Sequence, residues 1–188
     1  MKNVSCLLAG GLILGVLLSD ARAEEDNIYY ARCNLKVIKA NHITWVNWQA
    51  SPEYLIVGTK FKVKPKGKSA SLTDVDTGAT YTLDVGANAE KFMEKFVVKG
   101  PVNINRFSKD IQDNINNAVA RVGMTKEEVY IAMGPPAWVI DGNTDNKTYD
   151  NIMASNLWVY KRSRFGKNIG VEFNPSTKQV TRTEGIWR

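Results

Sequence analysis

The chain has little of the side-chain chemistry that enzymes and metal proteins use. Its 188 residues include two cysteines and one histidine. A transition-metal site usually needs several cysteine or histidine ligands, so the sequence predicts no metal site and no cofactor. No glycine-rich phosphate loop followed by a Lys-Ser or Lys-Thr pair occurs, which argues against that class of nucleotide-binding protein. After residue 23, no apolar run approaches the ~20 residues of a membrane-spanning helix.

The N-terminus has the pattern of a secretory signal peptide. Lys2 supplies a basic start, Val4–Leu18 is an apolar run, and Ala21-Arg22-Ala23 is a small-x-small cleavage site. The apolar run is too short to be a comfortable membrane span, and charged residues follow it directly. The sequence therefore predicts a signal peptide at residues 1–23 and an exported mature chain.

The remaining chain is moderately basic. Without Lys2, Asp20 and Arg22 it has 23 basic and 18 acidic residues, a net charge of +5. Such a surplus favours contact with anionic surfaces such as phospholipid or lipopolysaccharide head groups, although it also simply keeps a protein soluble. Nucleic acid is not an expected partner, because an exported protein does not meet it.

Removal of the signal peptide would leave Cys33 as the only cysteine, which excludes an intrachain disulfide. Burial of its thiol in an apolar strand is the interpretation we prefer. The alternatives are a thiol available for intermolecular pairing and a nucleophilic dyad with His42, nine positions later. No signature of a cysteine-dependent enzyme surrounds the pair, so the sequence predicts a protein without catalytic residues.

Two domains are predicted, with a boundary near Gly100-Pro101. Residues 24–100 contain short runs rich in β-branched and aromatic residues, for example 34–39 and 43–48, separated by turn residues. They predict a β-rich domain, either a small SH3-like barrel or a meander, ending in a short helix at about residues 89–97. Together with the helices predicted below, this makes the fold class α+β.

Residues 101–188 are predicted to form a domain of two helices followed by three strands. The first helix begins after Ser108 and has apolar residues at helical spacing as far as Val119. The strands are predicted at about residues 157–162, 168–174 and 179–183, after a long polar loop at 141–155.

The second helix has both ends encoded in the sequence. Thr125 and Glu128 have the spacing of a capping box. Gly134 permits a left-handed turn, and Pro135-Pro136 prevents the helix from continuing. Met124 and Val129 have the spacing of a hydrophobic staple. One narrow apolar stripe is expected on this helix, made of Val129, Ala132 and Met133.

This segment resembles the signature of the SmpA/OmlA (BamE-like) family of envelope proteins. The residues that carry the resemblance are Gly123, Met124, Thr125, Glu128, Val129, Gly134 and Pro136. It continues in Leu157-Trp158-Val159-Tyr160, Gly170-Val171-Glu172-Phe173-Asn174 and Lys178-Gln179-Val180, and so covers about residues 105–185. The resemblance implies two helices on a three-stranded antiparallel sheet, no catalysis, and an accessory role in the outer envelope. The same layer is similar to the β-lactamase-inhibitor fold.

The chain departs from this family in one respect. Many family members are lipoproteins whose first mature residue is a lipid-bearing cysteine. Here Cys6 precedes most of the apolar run, and Ala23 and Glu24 flank the predicted cleavage site. The sequence thus argues against a lipid anchor and predicts a periplasmic protein, peripheral to the outer membrane at most.

Two groups of residues are candidates for binding. The first is a ladder of alternating lysines, which we interpret either as a cationic surface for phosphate-bearing lipid or an acidic partner, or as protection of an edge strand against aggregation. Its members are Lys60, Lys62, Lys64, Lys66 and Lys68. The second is the aromatic pair Trp158 and Tyr160 with Arg162, which forms a partner anchor if it is exposed and part of the core if it is buried.

We therefore expect an exported, non-enzymatic accessory of outer-membrane protein assembly or envelope integrity. It would act by binding an envelope protein or anionic lipid head groups. The alternative is an inhibitor-like protein that binds an envelope hydrolase.

Overall fold

The protein has an α+β fold with two sheets and few helices. The computed structural model describes residues 28–183, so the predicted signal peptide, its cleavage site and Trp187 lie outside the described residues. Among residues 28–183, no helix has the length and apolar character needed to cross a bilayer.

The first sheet contains eight strands and curls into a half-barrel. The strands are β1 (Ile28–Ala31), β2 (Leu35–Ile38), β3 (His42–Thr44), β4 (Glu53–Leu55), β5 (Lys60–Lys66), β6 (Ser69–Asp74), β7 (Thr80–Asp84) and β8 (Val97–Val98). Their spatial order is β4-β2-β3-β7-β6-β5-β1-β8. Strands β5, β6 and β7 form an antiparallel meander, whereas β3 pairs with β7 in parallel.

The second sheet has five antiparallel strands: β9 (Trp138–Val139), β10 (Gly142–Asn143), β11 (Leu157–Tyr160), β12 (Ile169–Phe173) and β13 (Val180–Arg182). Their spatial order is β10-β9-β11-β12-β13. The last three strands were predicted, and the two shortest were not. Within residues 28–183, four short helices accompany the two sheets: α1 (Ala89–Phe92), α2 (Lys109–Asn116), α3 (Lys126–Met133) and α4 (Tyr149–Ala154).

Three predicted elements differ from those observed. The strand predicted at 43–48 ends at Thr44, because Asn47 takes a left-handed conformation (φ 49°) with its side chain buried. The helix predicted at 89–97 ends as a 3-10 turn, and Val97 pairs with Ala31 in the sheet. The predicted polar loop at 141–155 contains α4, whose capping box uses Thr148 with an asparagine in place of the usual Glu or Gln.

Helix α3 lies at the centre of the molecule. Tyr130 contacts the Trp158 ring of the second sheet, and its hydroxyl donates to the Lys95 carbonyl of the first half (3.0 Å). Ile131 also accepts a backbone hydrogen bond from Asn34 (3.0 Å). Tyr130 and Ile131 are buried together with Val129, Ala132 and Met133, so the prediction of one narrow stripe is wrong. The helix packs on both sides, and a single hydrophobic core runs through both halves.

The predicted ends of α3 are confirmed. The Thr125 hydroxyl accepts from the Glu128 amide (3.3 Å), and the Glu128 carboxylate accepts from the Thr125 amide (2.7 Å), which completes the capping box. Met124 and Val129, the predicted staple residues, are both buried. At the other end, Gly134 has φ 74° and its amide donates to the backbone carbonyl of Tyr130 (2.8 Å).

Two buried asparagines from the first half bind the C-terminal ends of the helices. The Asn34 side chain donates to the carbonyls of Ile115 in α2 (2.7 Å) and Ala132 in α3 (3.0 Å). The Asn47 side chain donates to the Met133 carbonyl (2.6 Å). The last carbonyls of a helix have no hydrogen-bond partner within the helix. The two asparagine side chains donate to three such carbonyls. We call Asn34 and Asn47 the asparagine pair.

A buried lysine joins the halves at a second place. Lys95 is fully buried, and its ammonium donates to the carbonyls of Thr144 (2.6 Å) and Asp145 (3.1 Å). Burial lowers the pKa of Lys95 to about 8, although the charge of Asp145 opposes the decrease. A neutral amine still has two N–H groups, enough for both carbonyls.

The lowered pKa of Lys95 predicts that stability rises with pH above pH 8. Between pH 8 and 9.5 the unfolded chain holds the Lys95 proton and the folded chain loses it, so deprotonation favours folding. We expect this group to add about 2 kcal/mol to the free energy of unfolding over that interval. Chemical denaturation at several pH values would measure it.

The control for this prediction is Lys95→Met, which removes the titrating group. Its free energy of unfolding should be lower than that of the wild type at pH 9.5, and the rise from pH 8 to 9.5 should shrink by about 2 kcal/mol. Equal pH slopes for the two proteins would contradict the assignment to Lys95.

Candidate binding surface

The predicted lysine ladder lies on β5 and in the turn that follows. Phe61 and Val63 are buried between the lysines, as the alternation predicted. Lys60 and Lys62 are half-buried, whereas Lys64, Lys66 and Lys68 are exposed. The edge-strand hypothesis is wrong for Lys60 and Lys62, because β5 lies between β6 and β1 at these positions.

On β6, the residues opposite the lysines of the ladder have small hydroxyl side chains. Lys62 lies opposite Thr73, Lys64 opposite Ser71, and Lys66 opposite Ser69. On the other side, β1 places Ile28 opposite Lys62 and Tyr30 opposite Lys60. The outer lysines, Lys64 and Lys66, are exposed and lie beside serines of β6, so they offer charge with little apolar contact surface.

The predicted aromatic anchor is part of the core. Trp158 and Tyr160 are fully buried. The indole N–H of Trp158 donates to the Ile152 carbonyl (3.0 Å), and the Tyr160 hydroxyl donates to the Gly134 carbonyl (3.2 Å). The exposed interpretation of these two residues is therefore wrong, and of the predicted trio only Arg162 is at the surface.

The opposite face of β11 carries the exposed apolar surface of the second sheet. Leu157 and Val159 alternate with the buried pair and are half-exposed. With Trp138 of β9 and Ile140, which is 71% exposed, they line a groove of about 360 Å³. We call this surface the open apolar face.

A basic loop borders the open apolar face. It connects β11 to β12 over residues 161–168, and no acidic residue occurs between Leu157 and Val171. The Lys161 ammonium lies 4.6 Å from the centre of the Trp138 ring. Phe165 at the loop tip is 92% exposed. The four cations of this basic loop are Lys161, Arg162, Arg164 and Lys167.

A cleft of about 580 Å³ lies on the other side of the basic loop. The turn after β2 and the segment before β4 form two walls, and Arg162 and Arg164 belong to the third. Its lining is mainly apolar and includes Val37, Ile38 and Trp48. The basic loop thus lies between two concave surfaces, the open apolar face and this cleft.

Cys33, the one cysteine among residues 28–183, is buried, as we preferred. Cys33 has no exposed surface, and burial raises the pKa of its thiol to about 12. Its sulfur lies 4.0 Å from the Lys95 carbonyl oxygen. His42, the proposed partner of the dyad, is exposed on β3. The thiol is protonated and shielded, whereas a nucleophile has to be ionised and accessible.

The open apolar face and the tip of the basic loop were not predicted from the sequence. The sequence does contain signals for both: Leu157 and Val159 alternate with the two aromatic residues, and the segment 161–167 combines four cations with Phe165. The sequence did not show which face of β11 is covered. Comparisons of the chain with models of known families, with curated proteins and with solved structures found no match.

Proposed function

We propose that this protein is an exported, non-enzymatic accessory of outer-membrane protein assembly or envelope integrity, acting by binding anionic lipid head groups or an envelope protein. One observation carries the proposal: the basic loop with exposed Phe165 lies directly beside the open apolar face. Export and the periplasmic location rest on the signal-peptide pattern.

The combination of charge and apolar surface suits a membrane interface. Each cation near an anionic bilayer contributes about 1 kcal/mol, so the loop's charges alone support only weak binding. Phe165 at the tip and the apolar side chains beside the loop add surface that prefers the head-group boundary. The outer lysines of the ladder, Lys64 and Lys66, lie beside serines rather than exposed apolar side chains, which makes the basic loop the better candidate.

We further propose that α2, α3 and β11–β13 correspond to the two-helix, three-stranded layer of the SmpA/OmlA family. The capping box at Thr125 and the positive φ of Gly134 support the proposal, because both belong to the segment that resembles the family. The SH3-like barrel in residues 24–100 stays a prediction.

The first test is binding to lipid vesicles. Wild-type protein should float with phosphatidylglycerol vesicles, and Arg164→Gln with Lys167→Gln should bind about 30-fold more weakly, since two cations are lost. The matched control, Lys64→Gln with Lys66→Gln, removes two cations from the ladder and should bind within about threefold of the wild type. Added salt should weaken wild-type binding.

A larger effect in the ladder variant than in the loop variant would overturn the choice of surface. Equal binding to phosphatidylcholine and phosphatidylglycerol vesicles would overturn the anionic-lipid mechanism. A photo-crosslinker in place of Phe165 then tests the protein partner in intact cells. Crosslinks to barrel-assembly components would support the assembly role, whereas a crosslinked hydrolase inhibited by the protein would overturn it in favour of the inhibitor alternative.

A further inference from the structure

The cleft beside the basic loop has the composition of a small-molecule site. Its volume of about 580 Å³ falls within the roughly 300–1,000 Å³ of ligand pockets in proteins. Val37, Ile38 and Trp48 supply an apolar lining. Such sites bind the body of a ligand through apolar contact and orient it through a few charged groups.

The charged groups of the cleft are mostly cations. Lys39, Arg162 and Arg164 line it, and Glu53 is the one carboxylate among its lining residues. Both arginines and Lys39 are exposed, so they reach solvent and the cleft at once. Guanidinium groups pair with carboxylates, sulfonates and phosphates by two parallel hydrogen bonds. The electrostatics therefore select an anion.

The walls of the cleft are held together by the backbone. The amides of Gln49 and Ala50 donate to the carbonyls of Lys161 (2.9 Å) and Arg162 (2.8 Å). The Ser51 hydroxyl donates to the Val37 carbonyl, which connects the segment before β4 to β2. These bonds set the position of Trp48 relative to the two arginines before any ligand arrives, which lowers the cost of binding.

The turn after β2, which forms one wall of the cleft, has a strained backbone conformation. Ala40 has φ 58° and ψ 39°, and Asn41 has φ 56°. Asparagine tolerates this left-handed region, whereas the Cβ atom of alanine disfavours it. Residues held in such conformations are concentrated at ligand sites, and here both line the cleft.

We propose that this cleft binds small organic anions that carry an apolar body. The anionic group pairs with Arg162 and Arg164 at the rim, and the apolar body lies against Trp48 and the end of β2. This site goes beyond the proposed function, because it takes a dissolved ligand rather than a membrane surface or a protein. It uses the opposite side of the basic loop from the open apolar face.

A pair of fluorescent probes tests the requirement for an anion. 1-Anilinonaphthalene-8-sulfonate and N-phenyl-1-naphthylamine share the same rings, and only the first carries a sulfonate. We expect the sulfonate probe to bind at least about tenfold more tightly, with energy transfer from tryptophan to the probe. Equal affinities would overturn the anion preference.

Three variants locate the site. Ala50→Phe places a large side chain at an exposed position in the cleft lining and should abolish binding of the sulfonate probe. Arg162→Gln should weaken binding about tenfold. Lys167→Gln is the matched control, because it removes one cation from the same loop without touching the cleft lining. It should change affinity by less than about twofold.

The outcomes separate the cleft from the membrane surface. Unchanged probe binding in Ala50→Phe would overturn the cleft, whatever the vesicle result. The Arg164→Gln, Lys167→Gln variant does not separate the two sites, because Arg164 also lines the cleft. Lys167→Gln alone should weaken vesicle binding about fivefold and leave probe affinity within about twofold of the wild type. Phe165→Ser adds no charge beside Arg164, so it should reduce vesicle binding and likewise leave probe affinity within about twofold of the wild type.

Discussion

Replacing Gly134 with alanine is expected to lower the free energy of unfolding by about 4 kcal/mol. Gly134 has φ 74° and ψ −165°, a region that only glycine occupies readily. A Cβ atom there would overlap the side-chain amide nitrogen of Asn47 and lie 3.1 Å from the Asn34 carbonyl oxygen. Both neighbours are buried and hydrogen-bonded, so neither can move aside without loss.

Gly123→Ala is the matched control for this prediction. Gly123 also has positive φ (91°), but a Cβ atom there meets nothing within 4 Å. This substitution should therefore cost only backbone strain, about 1 kcal/mol. Urea denaturation of both variants would measure the difference. Similar losses in the two would show that the contact with the asparagine pair is unimportant and that φ alone explains both glycines.

The second large effect is expected for Asn34→Asp. Aspartate has the shape of asparagine but cannot donate. One carboxylate oxygen would keep the hydrogen bond from the Val57 amide (3.0 Å), whereas the other would face the carbonyl oxygens of Ile115 and Ala132. The free energy of unfolding at pH 7 should fall by about 4 kcal/mol, because a buried donor is replaced by a charge that faces two acceptors. Denaturation monitored by tryptophan fluorescence would measure it.

The pH dependence of this variant identifies the cause. Burial raises the carboxyl pKa in the folded variant, so the folded state binds the proton more tightly and its stability recovers as pH falls. Asn88→Asp is the control: the Asn88 side chain is exposed and only accepts, from the Lys91 amide (2.9 Å), which aspartate also does. It should stay within about 0.5 kcal/mol of the wild type. An equal loss in both variants would contradict the role of donation by Asn34.

The two predictions together concern the coupling of the two halves. Asn34 and Asn47 belong to the first half of the chain, yet they bind the ends of helices in the second half. The glycine at the end of α3 therefore meets two requirements at once. Its φ ends the helix, and its missing side chain leaves room for Asn47.

Local patterns predicted local structure well. The capping box of Thr125 and Glu128 needs only residues three apart in the chain, and it is present. The alternation in β5 likewise buried Phe61 and Val63. These predictions succeeded because the partners are near in sequence and the helical and strand periods alone bring them together.

Other predictions failed where a distant partner decided the outcome. Asn47 ends the strand predicted at 43–48 because its side chain reaches Met133, 86 residues away in sequence. Helix α4 forms in a polar segment because Ile152 enters the core. Neither contact is visible in the residues that flank these positions.

The binding surface likewise combines a local pattern readable from sequence with an exposure that distant residues decide. From the sequence, β11 had two alternating faces, one aromatic and one aliphatic, with equal claims to be exposed. The structure buries Trp158 and Tyr160 against α3 and the end of α4, and it leaves Leu157 and Val159 toward solvent.

By itself, the sequence determined the local elements, namely the capped helix and the alternating strands. Only the tertiary structure decided which face of β11 is exposed and which strands flank the lysine ladder. It also decided that Gly134 has no room for a side chain. The reason is physical. Capping and alternation depend on neighbours along the chain, whereas burial depends on which surfaces the other half covers.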